Sequence, residues 1–322
     1  MKHILSFALL FASVFAVRAD FQPPAKEKFL IVALAGQSNM AGRGVPTEAD
    51  KVAHPRVVMM NRQGEWVPCV DPIHFDVDGS GVGPGKTFAE ALAETDPSIT
   101  VGVVPCAVGG CPLTGWEPGA MVHKGKTDWH PYDDCIERVR KAQEVGTLTA
   151  ILWHQGESDC MRRSGYVYQA RFPVLVQRLR EDLHAEGVPL ICGSLFPEIA
   201  KGWFGKIQCN TQRWTCEYAY GPGKFVMCPE DCERNPDNIH FTRDSQVKFG
   251  KLYFAAYQEV KKALAENKDY WKNPESDAAK IKPAAIPDWK ADDAERQIGA
   301  VPEKLPEIVE TWLFPQGRPV KE

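Results

Sequence analysis

Four polar segments of this chain stand directly after apolar, β-branched runs. Together they hold the residue types that acyl transfer requires. Ser38 follows the run Phe29–Ala35 with only Gly36 and Gln37 between. A serine hydroxyl is unreactive at its own pKa and needs an adjacent base. Asp237 and His240, three positions apart in Asp237-Asn-Ile-His-Phe241, fit on one turn. There the carboxylate accepts from the imidazole and fixes its tautomer, leaving the other ring nitrogen for a serine proton. Gln155, in Ile151-Leu-Trp-His-Gln-Gly-Glu-Ser-Asp159, carries an amide N–H that suits a developing oxyanion. Gly109 and Gly110 close the run Val101-Gly-Val-Val-Pro-Cys-Ala-Val, where glycine lets backbone approach a ligand and present an N–H to it. Taken singly, each segment has a structural explanation, such as Ser38 capping a helix or Asp237 capping a turn beside a satisfied histidine. Taken jointly they supply a nucleophile, a base, its orienter and two oxyanion donors.

The elements that must position these residues follow from periodicity. Strands are expected at Phe29–Ala35, Arg56–Asn61, Ile99–Val104, Leu148–Trp153, Pro189–Ser194 and Lys224–Met227. Helices are expected at Thr87–Glu94, Asp133–Val145, Tyr166–Glu186 and Ser245–Glu266, with Pro173 a candidate kink in the third. Alternating strands and helices argue for βαβ units, a mostly parallel sheet and helices on both faces. In such sheets ligands bind outside the carboxyl ends of the strands, which is where the four segments fall. The glycine-rich Gly79–Gly85 follows no convincing strand and lacks a Gly-Lys-Ser/Thr ending, so it reads as a flexible loop and not a phosphate cradle.

The 322 residues suffice for one large α/β domain or two small ones, and 44% hydrophobic with 25% charged residues is an ordinary globular balance. A formal net charge of −4 with no basic face argues against a nucleic-acid partner. Lys2 and His3, the apolar run Ile4–Val17 and Val17-Arg-Ala19 have the form of a secretory signal peptide over residues 1–19. The expectation is a secreted or periplasmic protein without stable membrane insertion, a retained N-terminal anchor being the alternative. Ten cysteines in an exported chain suggest disulfides. Cys209/Cys216 and Cys228/Cys232, in a loop-like stretch, are the favoured pairs, and Cys192 reads as a buried thiol. Cys228-Pro-Glu-Asp-Cys232 lacks the second ligand pair of a structural zinc site. The catalytic domain is expected over residues 20–266. Residues 267–322, rich in proline, lysine and acidic side chains, read as an extended tail that Trp289, Trp312 and Phe314 help to dock.

These motifs resemble the SGNH-hydrolase superfamily, and within it the sialate O-acetylesterase-like domain and carbohydrate esterase family six, which includes acetylxylan esterases. The resemblance is carried by GQSNMAGRG at 36–44, GVGPG at 81–85, VPCAVGG at 104–110, WHQGESD at 153–159 and DNIHF at 237–241, and spans about Phe29 to Glu266. It implies a flavodoxin-like three-layer α/β/α fold. It further implies Ser38 as nucleophile, His240 as base, Asp237 as the acid, and Glu157 as an alternative or additional acid. The Ser38 N–H, the Gly110 N–H and the Gln155 side chain would form the oxyanion hole, with Gln155 where the wider superfamily has asparagine. Cys111 departs from the small hydroxyl residue common in relatives. No metal or organic cofactor is implied. The implied partner is an acetylated carbohydrate such as acetylxylan, another hemicellulose or a sialic acid, with Trp116 and Trp153 near enough in sequence to serve as sugar platforms or core residues. Arg43, His74 and Arg162 are weaker candidates for substrate contact. A carbohydrate-binding protein without catalysis is the competing reading from another class, and a lipase-like or peptidase-like hydrolase the competing enzyme. The sequence does not specify an oligomeric state.

Overall fold

A computed structural model describes residues 21–162 and 165–282. Nine strands occur among them: β1 Phe29–Gly36, β2 Val57–Met60, β3 Trp66–Pro68, β4 Thr100–Pro105, β5 Val122–Lys124, β6 Thr127–Trp129, β7 Thr147–His154, β8 Leu190–Gly193 and β9 Gly223–Val226. The α-helices are α1 Ser38–Ala41, α2 Gly85–Ala93, α3 Pro131–Val145, α4 Glu157–Met161, α5 Gly165–Leu183, α6 Pro197–Lys201, α7 Trp203–Trp214 and α8 Arg243–Glu266. Seven strands form one sheet in the order β3-β2-β4-β1-β7-β8-β9, parallel except for β3 at the edge. The fold is therefore the expected three-layer α/β/α arrangement.

β1 shows why an uninterrupted apolar run becomes a central strand. Successive side chains point to opposite faces. Ile31, Ala33 and Ala35 join the core that includes Val139 of α3 and Phe172 and Leu175 of α5. Val32 and Leu34 join the opposite core, with Phe88 of α2 and Phe249 and Tyr253 of α8. Each face is covered by helices, so neither has room for the polar half of an alternating pattern. After β1 the chain crosses to β2 and β4 on one side and later to β7, β8 and β9 on the other. The carboxyl end of β1 is thus a topological switch point, where a crevice opens. Gly36 makes the close approach there possible. Its φ is +129°, and a Cβ would lie 2.2 Å from the His154 carbonyl oxygen.

Several expectations require correction. Gly81–Gly83 is not a free loop. It is laced to residues 42–44 by Gly81 N–H to Gly42 O at 3.1 Å and by reciprocal bonds between Gly44 and Val82 at 3.1 and 2.8 Å. The glycines serve backbone-to-backbone contact. Cys209 and Cys216 are not partners, because α7 continues through a π-turn over Thr215–Ala219. Seven helical residues separate positions by about 10 Å along the axis, beyond disulfide reach. Cys216 instead meets Cys192 of β8, Cys228 lies beside Cys232 without a disulfide between them, and all ten cysteines are thiols in this structure. Pro173 lies inside α5 without ending it. Trp116 and Trp153 are each 1% exposed and pack edge-to-face at 5.0 Å, which makes them core residues and not sugar platforms. Beyond Glu266, Tyr270 donates to Gly223 O at 3.2 Å and Ala278 is buried, so the start of the expected tail is packed against the domain. Trp289, Trp312, Phe314 and the expected signal segment lie outside the described residues.

One long-range ion pair fixes the segment that carries His240. Arg243, at the start of α8, forks onto Asp50 with Nε to Oδ2 at 2.8 Å and Nη2 to Oδ1 at 2.7 Å. The guanidinium, aided by the Thr47 amide and hydroxyl, outweighs burial and holds the Asp50 carboxyl well below the ordinary carboxylate range. A depressed folded-state pKa gives stability that is present above the unfolded value and lost as pH falls toward the folded one. Asp50→Asn is expected to lower stability by about 2 kcal/mol at neutral pH. In urea titrations at stepped pH, the gap between wild type and variant should narrow once pH drops below about 4.

Candidate active site

Ser38 is the first residue of α1, set immediately beyond β1 by Gly36 and Gln37. The first turn is held by Met40 and Ala41 N–H groups donating to Gln37 O, each at 2.9 Å. Ser38 Oγ lies 2.9 Å from His240 Nε2. His240 Nδ1 lies 2.8 Å from Asp237 Oδ2. Three remote stretches of chain thus meet in one line of hydroxyl, imidazole and carboxylate.

The Asp237–His240 turn is self-supporting. Asn238 sits at φ +59°, a left-handed conformation that asparagine tolerates better than most residues. That bend lets Asp237 Oδ1 accept from the Ile239 N–H at 2.8 Å and the His240 N–H at 2.9 Å, leaving Oδ2 for the ring. Partial burial disfavours the charge, but the two amides and the imidazole prevail and keep the carboxyl below its usual range. The ionised form of Asp237 is therefore favoured. The turn is pinned from outside by Asn235, whose N–H donates to His240 O at 2.7 Å and whose Nδ2 donates to Arg43 O at 2.9 Å.

Glu157, the other candidate acid, makes no hydrogen bond to His240 among the described contacts. It is fully buried at the start of α4. Its Oε1 accepts from Asn39 Nδ2 at 2.5 Å and lies 3.7 Å from His154 Nε2. Burial raises its pKa, against the Asn39 hydrogen bond. Burial also pushes the His154 ring down to about 3, so that histidine is neutral and donates or accepts at Nδ1 with the Tyr253 hydroxyl 2.7 Å away.

Gln155 is engaged by protein acceptors. Its Nε2 lies 2.5 Å from Asp159 Oδ2, 3.1 Å from Cys111 O and 3.2 Å from Gln37 Oε1. An amide nitrogen has two protons, and three acceptors already surround this one. The side chain is 0% exposed. Gln155 is a bracket that ties the loop after β7 to the loop after β4, and a role as third oxyanion donor would require it to release one of these contacts.

Gly110 sits at φ +69° at the exposed crest of the loop after β4, and a Cβ there would lie 2.9 Å from Lys124 Nζ of the β5–β6 hairpin. The preceding turn is positioned by Asp76, a residue without a sequence signal of its own. Asp76 Oδ2 accepts from the Gly109 N–H at 2.7 Å and from Arg43 Nη2 at 2.7 Å, and Oδ1 accepts from Ser80 at 2.7 Å. Arg43 is thereby a structural residue. His74 is buried beside this pair and its ring is pushed down to about 4. Arg162 is exposed at the end of α4. Gln37 is the second residue that sequence reasoning passed over. Its Oε1 accepts from the Ser158 N–H at 3.3 Å and the Gly156 N–H at 3.4 Å, fastening α4 beside α1. No cluster of three or more metal-ligating side chains occurs among the described residues.

Comparison with known proteins gives the family. Residues 28–259 match the family model described as carbohydrate esterase, sialic acid-specific acetylesterase. A probable carbohydrate esterase of Arabidopsis thaliana is 29% identical over 265 residues, 74% of this chain and 94% of that one. The solved structure of an Arabidopsis thaliana protein superposes with a TM-score of 0.61 at 27% identity, covering 71% of this chain and 98% of that one. Two further structures share the fold. NanS has a TM-score of 0.57 at 18% identity, covering 74% and 99% of the two chains. A carbohydrate acetylesterase from Xanthomonas citri has a TM-score of 0.53 at 18% identity, covering 72% and 56%. The family match spans well over half of the chain, and with it the chain belongs to the sialic acid-specific acetylesterase family of carbohydrate esterases.

Proposed function

We propose that this carbohydrate acetylesterase removes O-acetyl groups by a serine mechanism, with Ser38 as nucleophile, His240 as base and Asp237 as its carboxylate partner. The observation that carries the reading is the continuous line from Ser38 Oγ to His240 Nε2 at 2.9 Å and from His240 Nδ1 to Asp237 at 2.8 Å. His240 takes the Ser38 proton as the oxygen attacks the acetyl carbonyl. The negative oxygen of the tetrahedral intermediate is held by the backbone N–H groups of Ser38 and Gly110. His240 then returns the proton to the departing sugar oxygen, leaving an acetylated Ser38. Water, deprotonated by the same imidazole, clears the acetyl group and regenerates the enzyme. Asp237 stabilises the imidazolium formed in each half without taking its proton.

The substrate class is an acetylated glycan, acetylxylan or another acetylated hemicellulose. The sialic acid-specific description of the family favours one further reading, that the acetyl group sits on a sialic acid. Export is part of the proposal, resting on the basic start, the apolar run Ile4–Val17 and the small residues that follow it.

Acetate release from a panel of acetylxylan, acetylated mannan and O-acetyl sialic acid tests the substrate class, with the highest kcat/KM expected on a polysaccharide. A strong preference for O-acetyl sialic acid would establish the second reading. Ser38→Ala is expected to lower turnover of an aryl acetate by about 10⁴ or more. Equal rates for variant and wild type would end the serine mechanism. Asp237→Asn is expected to lose about 10³–10⁴ in kcat. The base must be neutral to act, so log kcat/KM should decline on the acid side as His240 gains a proton.

A further inference from the structure

Asn39, adjacent to the nucleophile, is 1% exposed and touches the two peptide groups that flank His240. Its Nδ2 donates to the Ile239 carbonyl at 3.3 Å, and its Oδ1 accepts from the Phe241 N–H at 3.2 Å. One side-chain amide therefore grips the backbone just before and just after the base. The grip works in one orientation only. Turned over, the amide would set its oxygen against the Ile239 carbonyl and its NH₂ against the Phe241 N–H, two repulsive contacts in place of two bonds. The remaining proton of Nδ2 points to Glu157 Oε1 at 2.5 Å, and that acceptor selects the working orientation. Glu157 is itself fixed, since it opens α4 beside the Gln37 bracket and lies 3.7 Å from His154.

We propose that Asn39 and Glu157 form a clamp that fixes His240 over Ser38, with Glu157 acting through Asn39 as a positioning residue and not as a carboxylate partner of the imidazole. The proposal rests on the Ser38–His240–Asp237 reading above. What the reaction requires of Glu157 is then an acceptor atom and not a negative charge. The groups facing His240 are Asp237 on its own turn, Ser38 of α1 and, through Asn39, Glu157 of α4. Arg234 approaches from outside, donating to Asn238 O at 3.0 Å.

The test compares Glu157→Gln, Asn39→Ala, the double variant, Asp237→Asn and Ser38→Ala in the full chain. The readouts are kcat and KM on an aryl acetate, the pH profile of kcat/KM and the thermal midpoint. Glutamine keeps an acceptor oxygen for Asn39, so Glu157→Gln should stay within about tenfold of wild-type kcat. Asn39→Ala frees the base loop and should lose about ten- to a hundredfold in kcat with KM nearly unchanged. Adding Glu157→Gln to Asn39→Ala should cost nothing more, because the two residues act in series. Losing its carboxylate partner makes the imidazole harder to protonate, so the acid limb should move to lower pH in Asp237→Asn. In Glu157→Gln that limb should stay nearer to wild type. Should Asn39→Ala fail to fold, Glu157→Leu removes the acceptor at similar volume and should reproduce the kcat loss. A Glu157→Gln variant as impaired as Asp237→Asn, with the acid limb equally displaced, would overturn the clamp alone. Activity surviving in Ser38→Ala would overturn the catalytic set and the clamp with it.

Discussion

At the carboxyl end of β1 the Gly36 carbonyl accepts the Val108 N–H at 3.2 Å, and the Gln37 N–H donates to the His154 carbonyl at 2.9 Å. These two bonds extend the sheet by one step on each side of Ser38. They bring the loop after β4 and the loop after β7 alongside Ser38. Every later feature of the site presumes that spacing. Gly36 is the residue that permits it, because any side chain would strike the His154 carbonyl. The parallel sheet thus supplies more than a core. It delivers three chain segments to one edge at a separation set by backbone geometry.

Such convergence places many polar groups under cover, and the arrangement is stable only if they satisfy one another. Gln37, Asn39, Gln155, Glu157 and Asp159 are each 1% exposed or less. They bond across loops and seldom to their own neighbours. Gln37 binds α4, Gln155 binds the Cys111 carbonyl, and Asp159 accepts from the Leu113 N–H at 3.0 Å. Truncating any one of them strands a buried partner and costs roughly 1–3 kcal/mol in addition to the lost bond. Asp76 does the same for the Gly109 turn, where Arg43 offsets the cost of a buried carboxylate. The rigidity of the site is bought by these cross-loop bonds, since α1 has only four residues and α4 five.

Local pattern was enough to read the six parallel strands and four of the five helices longer than two turns, because burial on both faces of a sheet leaves an unmistakable apolar run. It was insufficient where structure depends on distant partners. The edge strand Trp66–Pro68 and the hairpin Val122–Lys124/Thr127–Trp129 are three residues per strand, too short for periodicity to register. Helix α7 contains Gly205, Asn210 and Thr211, poor helix formers that suggested a loop. Its buried stripe is also partly polar, with Gln208, Thr211 and Gln212 inside. That miss carried the Cys209/Cys216 pairing with it. At the site, residue type identified Ser38, Asp237 and His240 as a set. Type also suggested Gln155 as an oxyanion donor, but an amide says nothing about which acceptors will surround it. Gln37, Asn39 and Asp76 left no signal for the same reason, since their cross-loop partners lie between 33 and about 200 positions away.

The two carboxylates near His240 show how environment sets identical groups apart. The Asp237 side chain is 46% exposed, and the amides of its own turn together with His240 outweigh desolvation and favour its ionised form. Glu157 is enclosed, and enclosure drives its pKa upward. A carboxylate that must answer the transient charge of an imidazolium, twice per turnover, has to be negative at working pH. It must also accept the ring proton without competing donors at the same oxygen. Asp237 Oδ2 meets both conditions, because the backbone amides are confined to Oδ1. Glu157 departs from the first condition, since enclosure disfavours its charge, and its Oε1 is engaged by Asn39. Deep burial, usually taken as the mark of a catalytic acid, marks in the proposed clamp the group whose position matters more than its charge.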